Sequence, residues 1–473
     1  MKVKIITLLL LSCSYLVSAQ VKKWTLRECV EYAIENNISI QQSELDLENA
    51  EIDKSDAVGN FLPSVNGSAS HSWNVGLNQD ITTGVLRTAT TQFTSGRVSV
   101  GVDIFKGLQN QNRLRRSKLN ILANQYQMDD MRDDISLAVA NGYLQILFNR
   151  ENLVVQKAQY AVTEQDLKRT QELVESGVLP KGDLLEIEAT AATQEQRIIN
   201  AENALRLSKI SLAQLLLLDD YENFDVADED YMIPKSTITE ITPEEIYQKS
   251  LTFRGDVKLS MANVEIAEMD LKIAKGTMMP TLTGFYGYDT RVSHQDRSVA
   301  TGQTTQTQIG TVQSTGDAVV TQTPVFGVAG PLPFVDQLWM NDGQSFGVSL
   351  NVPIFNGFAA RNNVKRNEVN VRRNELMLKQ TKLDLENTIN QVWNDAQSAF
   401  KTFEASSKTL EARELAYEYA KERFDVGLMN SFDFSQAQAR LDNAQAELIR
   451  AKYDYIFKLK VLEYYFGIPV EEL

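Results

Sequence analysis

Proton transfer, nucleophilic attack and metal binding draw on a short menu of side chains, and this chain offers few of them. Histidine occurs only at His71 and His294, cysteine only at Cys13 and Cys29. Neither pair has zinc-site spacing, no glycine-rich stretch could cradle a phosphate, and no glycine–serine elbow exposes a nucleophile. Carboxylates abound, with 62 Asp plus Glu against 47 Lys plus Arg and a net charge of −15. On long helices, however, such residues ordinarily form solvated faces or interhelical pairs. The inventory therefore reads as a protein that is not an enzyme and has no cofactor and no metal centre. Its acidity opposes nucleic-acid binding, and suits a water-filled passage that disfavours anions as readily as it suits a well-solvated surface.

What the residues lack in chemistry they carry in repetition. Phe105-Lys106-Gly107 is echoed 250 positions later by Phe355-Asn356-Gly357, and the same offset relates Ser176-Gly177-Val178 to Val426-Gly427-Leu428, Asp183 to Asp433, and Tyr143 to Trp393. Upstream, Leu62-Pro63 matches Met279-Pro280 at an offset of 217, so the second copy holds 33 additional residues. A tandem repeat fixes the architecture in which every motif must be read. The expected organisation is a first repeat over 20–235, with a helix, strands at 63–76 and 93–105, and a helical hairpin at 107–218. The second, over 236–473, has a helix, strands at 280–290 and 345–355, and a helical hairpin at 357–466. A linker with an acidic run and Pro234 joins them.

Residues 1–19 read as a secretory leader. Lys2 and Lys4 precede an apolar run from Ile5 to Leu11, and Val17-Ser18-Ala19 offers a small-residue cleavage site. Leu10-Leu11-Ser12-Cys13 is a weaker, lipoprotein-like alternative that would lipidate Cys13. Cleavage after Ala19 leaves Cys29 alone, so stability must come from packing or oligomerisation rather than an internal disulfide. No later stretch approaches the roughly 18 apolar residues of a membrane helix. The chain can still enter a membrane as strands.

Four runs alternate with period two. In the first, Val65, Gly67, Ala69, His71, Trp73 and Val75 oppose Ser64, Asn66, Ser68, Ser70, Ser72 and Asn74. In the second, Val98, Val100, Val102 and Ile104 oppose Arg97, Ser99, Gly101 and Asp103. The third sets Leu282, Gly284, Tyr286 and Tyr288 against Thr281, Thr283, Gly287 and Asp289. The fourth sets Phe346, Val348, Leu350, Val352 and Ile354 against Ser345, Gly347, Ser349 and Asn351. Each run is about as long as a tilted strand crossing a bilayer, and aromatic residues recur near the ends as in interfacial girdles. Four strands cannot close a barrel, since the smallest membrane barrels have about eight, and an open edge in lipid leaves backbone groups unsatisfied. Several chains must therefore complete one barrel.

Residues 107–176 contain no proline, and their pattern is helical throughout, on the order of 100 Å at about 1.5 Å per residue. The stretch at 357–426 is its counterpart. After each break a heptad seam follows: Leu184, Ile187, Ala191, Gln194, Ile198, Ala201 and Leu205, matched by Phe434, Ala437, Leu441, Ala444, Leu448, Ala451 and Tyr455. Gly177 and Gly427 suit left-handed helix stops, and Asp183 and Asp433 are expected to cap the returning helices. Val178, Leu179, Leu428 and Met429 are apolar at turns where polar residues would serve, which marks a partner site. Glu414 and Glu418 are spaced to stack on one helix face, with Asp425 further along.

The opening Trp24-Thr25-Leu26-Arg27-Glu28-Cys29-Val30-Glu31-Tyr32-Ala33-Ile34-Glu35-Asn36-Asn37 resembles the N-terminal signature of TolC-type outer membrane efflux proteins. Phe61-Leu62-Pro63, Pro353-Ile354-Phe355-Asn356-Gly357, Val426-Gly427-Leu428 and Asp433-Phe434-Ser435-Gln436-Ala437-Gln438 are similarly placed, so the likeness covers the whole mature chain. The resemblance implies a mixed fold, a membrane β-barrel continued by a long α-helical barrel. It implies a homotrimer with four strands per protomer, a closed barrel of about 12 strands in outer membrane lipid and a helical tunnel through the periplasm. It further implies a bacterial outer membrane duct of a tripartite efflux or type I secretion system, with loops 77–92 and 294–343 outside the cell. The implied partners are a periplasmic adaptor, docking on tips Gly177, Val178, Leu179, Val426, Gly427 and Leu428, and an inner membrane pump. Glu414, Glu418 and Asp425 would surround the periplasmic aperture. The first tip departs from the family pattern, and the loop at 294–343 is longer than usual. A trimeric coiled-coil adhesin or envelope spacer is the alternative, and it would not need polar strand faces lining water.

Overall fold

The computed structural model describes residues 22–79, 86–227 and 237–468. The leader with Lys2, Lys4 and Cys13, and Pro234 of the linker, lie outside the described residues. In chain order the elements are β1 (Lys23–Trp24), α1 (Leu26–Asn36), α2 (Ile38–Gly59), β2 (Ser64–Gln79), β3 (Leu86–Lys106), α3 (Gln109–Glu175), α4 (Lys181–Leu215) and β4 (Asp225–Val226). After a 3-10 turn at Thr237–Glu240 come α5 (Pro243–Phe253), α6 (Gly255–Gly276), β5 (Thr281–Ser293), β6 (Arg297–Thr311), β7 (Ala318–Ala329), α7 (Phe334–Met340), β8 (Gly343–Asn351), α8 (Ala359–Asp425) and α9 (Ser431–Phe466). The chain divides into two compact units, each drawing on both repeats: a helical one, from the stretch ending at Glu51, Lys118–Ala267 and the stretch from Asn370, and a second from Ile52–Ser117 and Glu268–Val369.

The repeat is written into the backbone as well as the sequence. Thr25 caps α1 by accepting from the Glu28 amide, while the Glu28 carboxylate accepts from the Thr25 amide at 3.0 Å. Thr242 likewise caps α5 by accepting from the Glu245 amide at 3.3 Å, without the reciprocal bond. Left-handed residues also recur in pairs: Gly107 with Gly357, Leu108 with Phe358, Gly177 with Gly427, and Leu217 with Gly467. Within the second unit Gly107 meets the backbone of Gly276, where an added Cβ on Gly107 would strike the Gly276 carbonyl oxygen. Only glycine serves both the positive φ and this approach.

Two cores hold the helical unit. One gathers Cys29, Val30, Ala33, Val139, Tyr143, Leu212 and Val226. The other gathers Ile246, Val257, Leu385, Ile389, Ala396, Leu459 and Leu462. The aligned pair Tyr143 and Trp393 does the same work in each: Tyr143 Oη donates to the Ala227 carbonyl and Trp393 Nε1 to the Ile241 carbonyl. The heptad seam lies inward, with Ile187, Ala191, Gln194 and Ala201 buried on α4 and Phe434, Ala444, Ala451 and Tyr455 buried on α9.

The second unit contains a four-stranded antiparallel sheet in the order β2-β3-β5-β8. Val65 faces Val100, Val100 faces Tyr286, and Tyr286 faces Phe346, so one row of one face is apolar across all four strands. The neighbouring row on the other face runs Asn66, Ser99, Gly287 and Ser345.

Three sequence expectations need correction. The segment 77–92 is not simply a loop, because β2 continues to Gln79 and β3 begins at Leu86; its Thr-rich sequence lacks the regular apolar face that makes a strand visible in sequence. The segment 294–343 holds the hairpin β6–β7 and the helix α7. Asp183 and Asp433 are not the N-caps: Pro180 precedes α4 without a side-chain cap, and Asn430 caps α9 by accepting from the Asp433 amide at 2.8 Å. The two aspartates sit in the first turn, where their charge meets the positive end of the helix dipole.

Candidate functional site

In the helical unit the tips are built by helix termination. Val178 N–H donates to the Leu173 carbonyl at 2.8 Å and Gly177 N–H to Val174 at 3.0 Å; Leu428 and Gly427 repeat this on Arg423 and Phe424 at 2.8 and 3.0 Å. This is a Schellman stop at each end, with glycine in the left-handed position. The stop places Val178, Val426 and Leu428 at the surface, each at least 67 % exposed, while Leu179 is half-buried. Ser431 Oγ donates to the Asp183 carboxylate, joining the two hairpins beside their tips.

Glu414 and Glu418 are exposed on α8. Asp425 instead ion-pairs with Arg169 of α3, Nη1 to Oδ1 at 2.5 Å, a second link between the hairpins. Behind it lies a set of polar residues that the sequence reading did not single out. Gln438 donates to the Thr163 hydroxyl at 2.8 Å, Gln194 to the Asp442 carboxylate at 2.9 Å, and Gln159 to Gln445 at 2.7 Å. Burial raises the Asp442 carboxyl above the usual carboxylate range despite the Gln194 bond. Burial also raises Asp166, with Lys421 and Arg169 pulling back and Asp425 adding to the rise. Tyr417 is pushed up to about 12 by burial and by the negative charge of Asp166, Asp442 and Asp425. One carboxylate oxygen of Asp166 and the Tyr417 hydroxyl are buried without a hydrogen-bond partner. Only the polar break in an apolar seam at Gln194 hinted at this layer. Between α4 and α9 a groove of about 330 Å3 is lined by Glu186, Thr190, Arg197, Phe432 and Gln436, with Gln194 and Asp442 in its floor.

In the second unit the apolar sheet face is exposed: Val65 66 %, Phe346 81 %, Val348 63 % and Leu350 65 %. The opposite face carries Ser, Asn, Gly and the register pair Arg97–Asp289. Phe285 also lies on that face, its ring so close over Gly347 that a Cβ there would come within 3.0 Å. Among the described residues no group of three or more His, Cys, Asp or Glu is placed to hold a metal ion. No described helix is long and apolar enough to cross a membrane.

An exposed apolar sheet face, small polar residues behind it and paired helical hairpins with glycine stops narrow the family sharply. The family model for outer membrane efflux proteins matches residues 29–216 and 336–467. The chain belongs to the outer membrane efflux protein family. It is accordingly a transport protein of the outer membrane and not one of an enzyme family. Among solved structures it is similar to the Campylobacter jejuni CmeC outer membrane channel, at 17 % identity and a TM-score of 0.75, covering 93 % of this chain and 85 % of that one. It is similar to the Vibrio cholerae outer membrane protein VceC, at 16 % identity and a TM-score of 0.74, covering 93 % and 96 %. It is also similar to the open state of the Neisseria gonorrhoeae MtrE channel, at 14 % identity and a TM-score of 0.68, covering 94 % and 90 %. At these identities the likeness is one of fold. No curated protein matches the sequence.

Proposed function

We propose that three copies of this efflux protein form one outer membrane duct, each lending its four strands to a closed barrel of about 12 strands. The observation that carries this reading is the sheet itself, with an exposed apolar face and β2 and β8 as its outer strands. In hydrocarbon every backbone donor and acceptor needs a partner, so the outer strands must be paired by other copies. The polar face with Ser99, Arg97 and Asp103 then lines water, the helical hairpins continue the passage through the periplasm, and the segments 77–92 and 294–343 face outward. The repeats over 20–235 and 236–473 would each supply half of a protomer's wall.

In this reading Gly177, Val178, Leu179, Val426, Gly427 and Leu428 meet a periplasmic adaptor that couples the duct to an inner membrane pump, while Glu414, Glu418 and Asp425 bias passage near the aperture. The apolar exposure of Val178 and Leu428 supports a docking role. Purified protein reconstituted into a planar bilayer is expected to conduct ions and to migrate as a trimer before heating. A protein that inserts and trimerises without conductance would instead be a spacer or adhesin.

A further inference from the structure

Two histidines in a chain of 473 residues, separated by most of a repeat, nevertheless meet. His71 of β2 and His294, the residue just after β5, have ring centres 5.3 Å apart at an interplanar angle of 66°. Both rings are exposed, and both turn a nitrogen to the same point: Thr94 Oγ1 lies 2.8 Å from His71 Nδ1 and 2.9 Å from His294 Nε2. Their positions are fixed from several sides. His71 stands opposite Thr94 in the β2–β3 register, and its ring packs edge-on against Trp73 at 4.2 Å. The His294 amide donates to the Gln92 carbonyl at 3.1 Å, and its ring stacks with Phe334 of α7 at 6.3 Å.

We propose that His71 and His294 form a two-imidazole site for a divalent transition-metal cation. Imidazole is the ligand that Zn2+, Cu2+ and Ni2+ share, whereas Mg2+ and Ca2+ take oxygen. Two imidazoles on one tetrahedral ion, with metal–nitrogen bonds of about 2.0–2.1 Å, hold their ring centres roughly 5 Å apart, as these are held. The point that the Thr94 hydroxyl now bridges is where such an ion sits; the hydroxyl swings aside or becomes a third ligand, and water completes the shell. Because His294 lies in the short connection from β5 to β6, which begins at Arg297, the bound ion fastens that connection to β2.

The test uses the full-length protein purified without a histidine tag, so that these two rings are the only imidazoles present. Calorimetric titration with Zn2+ in excess Mg2+ at pH 7.5 is expected to give one Zn2+ per chain. His71→Ala and His294→Ala should each weaken binding at least tenfold; a variant that fails to assemble is replaced by the glutamine substitution at the same position. With Cu2+ the electron paramagnetic resonance spectrum should carry nitrogen hyperfine structure. Equal Zn2+ uptake by the wild type and either variant, or a Cu2+ spectrum with oxygen ligands only, overturns the proposal.

Discussion

Asp130 shows how one side chain in the helical unit makes stability depend on pH. Burial pushes its carboxyl up to about 6, outweighing the pull of Arg254 at 3.6 Å, and Asp256, Asp134 and Asp133 add to the rise. A carboxyl whose folded pKa lies above its unfolded value of 3.8 favours the fold while protonated. That contribution is present below about pH 4 and is lost as pH rises through about 6. Asp130→Asn is therefore expected to raise the thermal unfolding midpoint at pH 8 and to change it little at pH 4. The gain is on the order of 1 kcal/mol once solvent screening of a part-exposed group is allowed for. An equal shift at both pH values would assign the effect to packing. At the same scale, Glu414→Gln with Glu418→Gln should reduce the cation preference of reconstituted channels, since rings of carboxylates favour cations. Unchanged selectivity and cation block would remove these two residues from the aperture.

Elements decide which substitutions the fold tolerates. Val100 and Ser99 are adjacent in β3 yet lie on opposite faces, Val100 in the row with Val65 and Tyr286, Ser99 in the row with Asn66 and Gly287. Arg at Val100 should impair membrane assembly, at a cost of roughly 2–4 kcal/mol near the bilayer midplane, while Arg at Ser99 should be accepted. Heat-modifiable trimer yield in outer membrane fractions measures the difference, and equal yields would reject the assignment of faces. The tips obey a different logic. Leu428 is 72 % exposed and follows a Schellman stop made by backbone groups alone, so its side chain contributes little to the turn. Leu428→Asp is expected to abolish export in cells while leaving trimer and insertion intact. Normal export by that variant would count directly against docking at this tip.

At the scale of the whole molecule, the repeat predicts its own assembly. Within one chain Ser99 of β3 faces Gly287 of β5. The offsets of 250 and 217 carry these two positions to Ser349 of β8 and Ser70 of β2, both on outer strands of the sheet. If copies join as the halves of one chain do, Ser349 of one protomer faces Ser70 of the next. Paired residues in antiparallel strands have Cα atoms about 4.5–5.5 Å apart, within disulfide reach. A Ser70→Cys, Ser349→Cys variant should thus oxidise to covalently linked trimers, with neither single variant doing so. Efficient cross-linking of Ser349→Cys to Ala69→Cys instead would reveal a register slip, which would turn the apolar face of one strand toward the lumen.

Sequence alone determined whatever is local or periodic. The alternating runs around Val65, Val98 and Tyr286 lie in β2, β3 and β5, the run around Val348 lies in β8 only as far as Asn351, the heptad seam is buried or half-buried, and Gly177 and Gly427 stop their helices, because side-chain direction and left-handed backbone follow from near neighbours. The family resemblance carried by Trp24 to Asn37 rested on the same local patterns. Tertiary structure decided whatever depends on partners far away in the chain. It drew Asp425 to Arg169 and Asp183 to Ser431, placed Asp442 beneath Gln194, and paired the Thr- and Gln-rich strand β6 with β7. It also brought His71 and His294 to one threonine. Such meetings are fixed by strand register and helix packing over hundreds of residues, and no pattern at either end announces them.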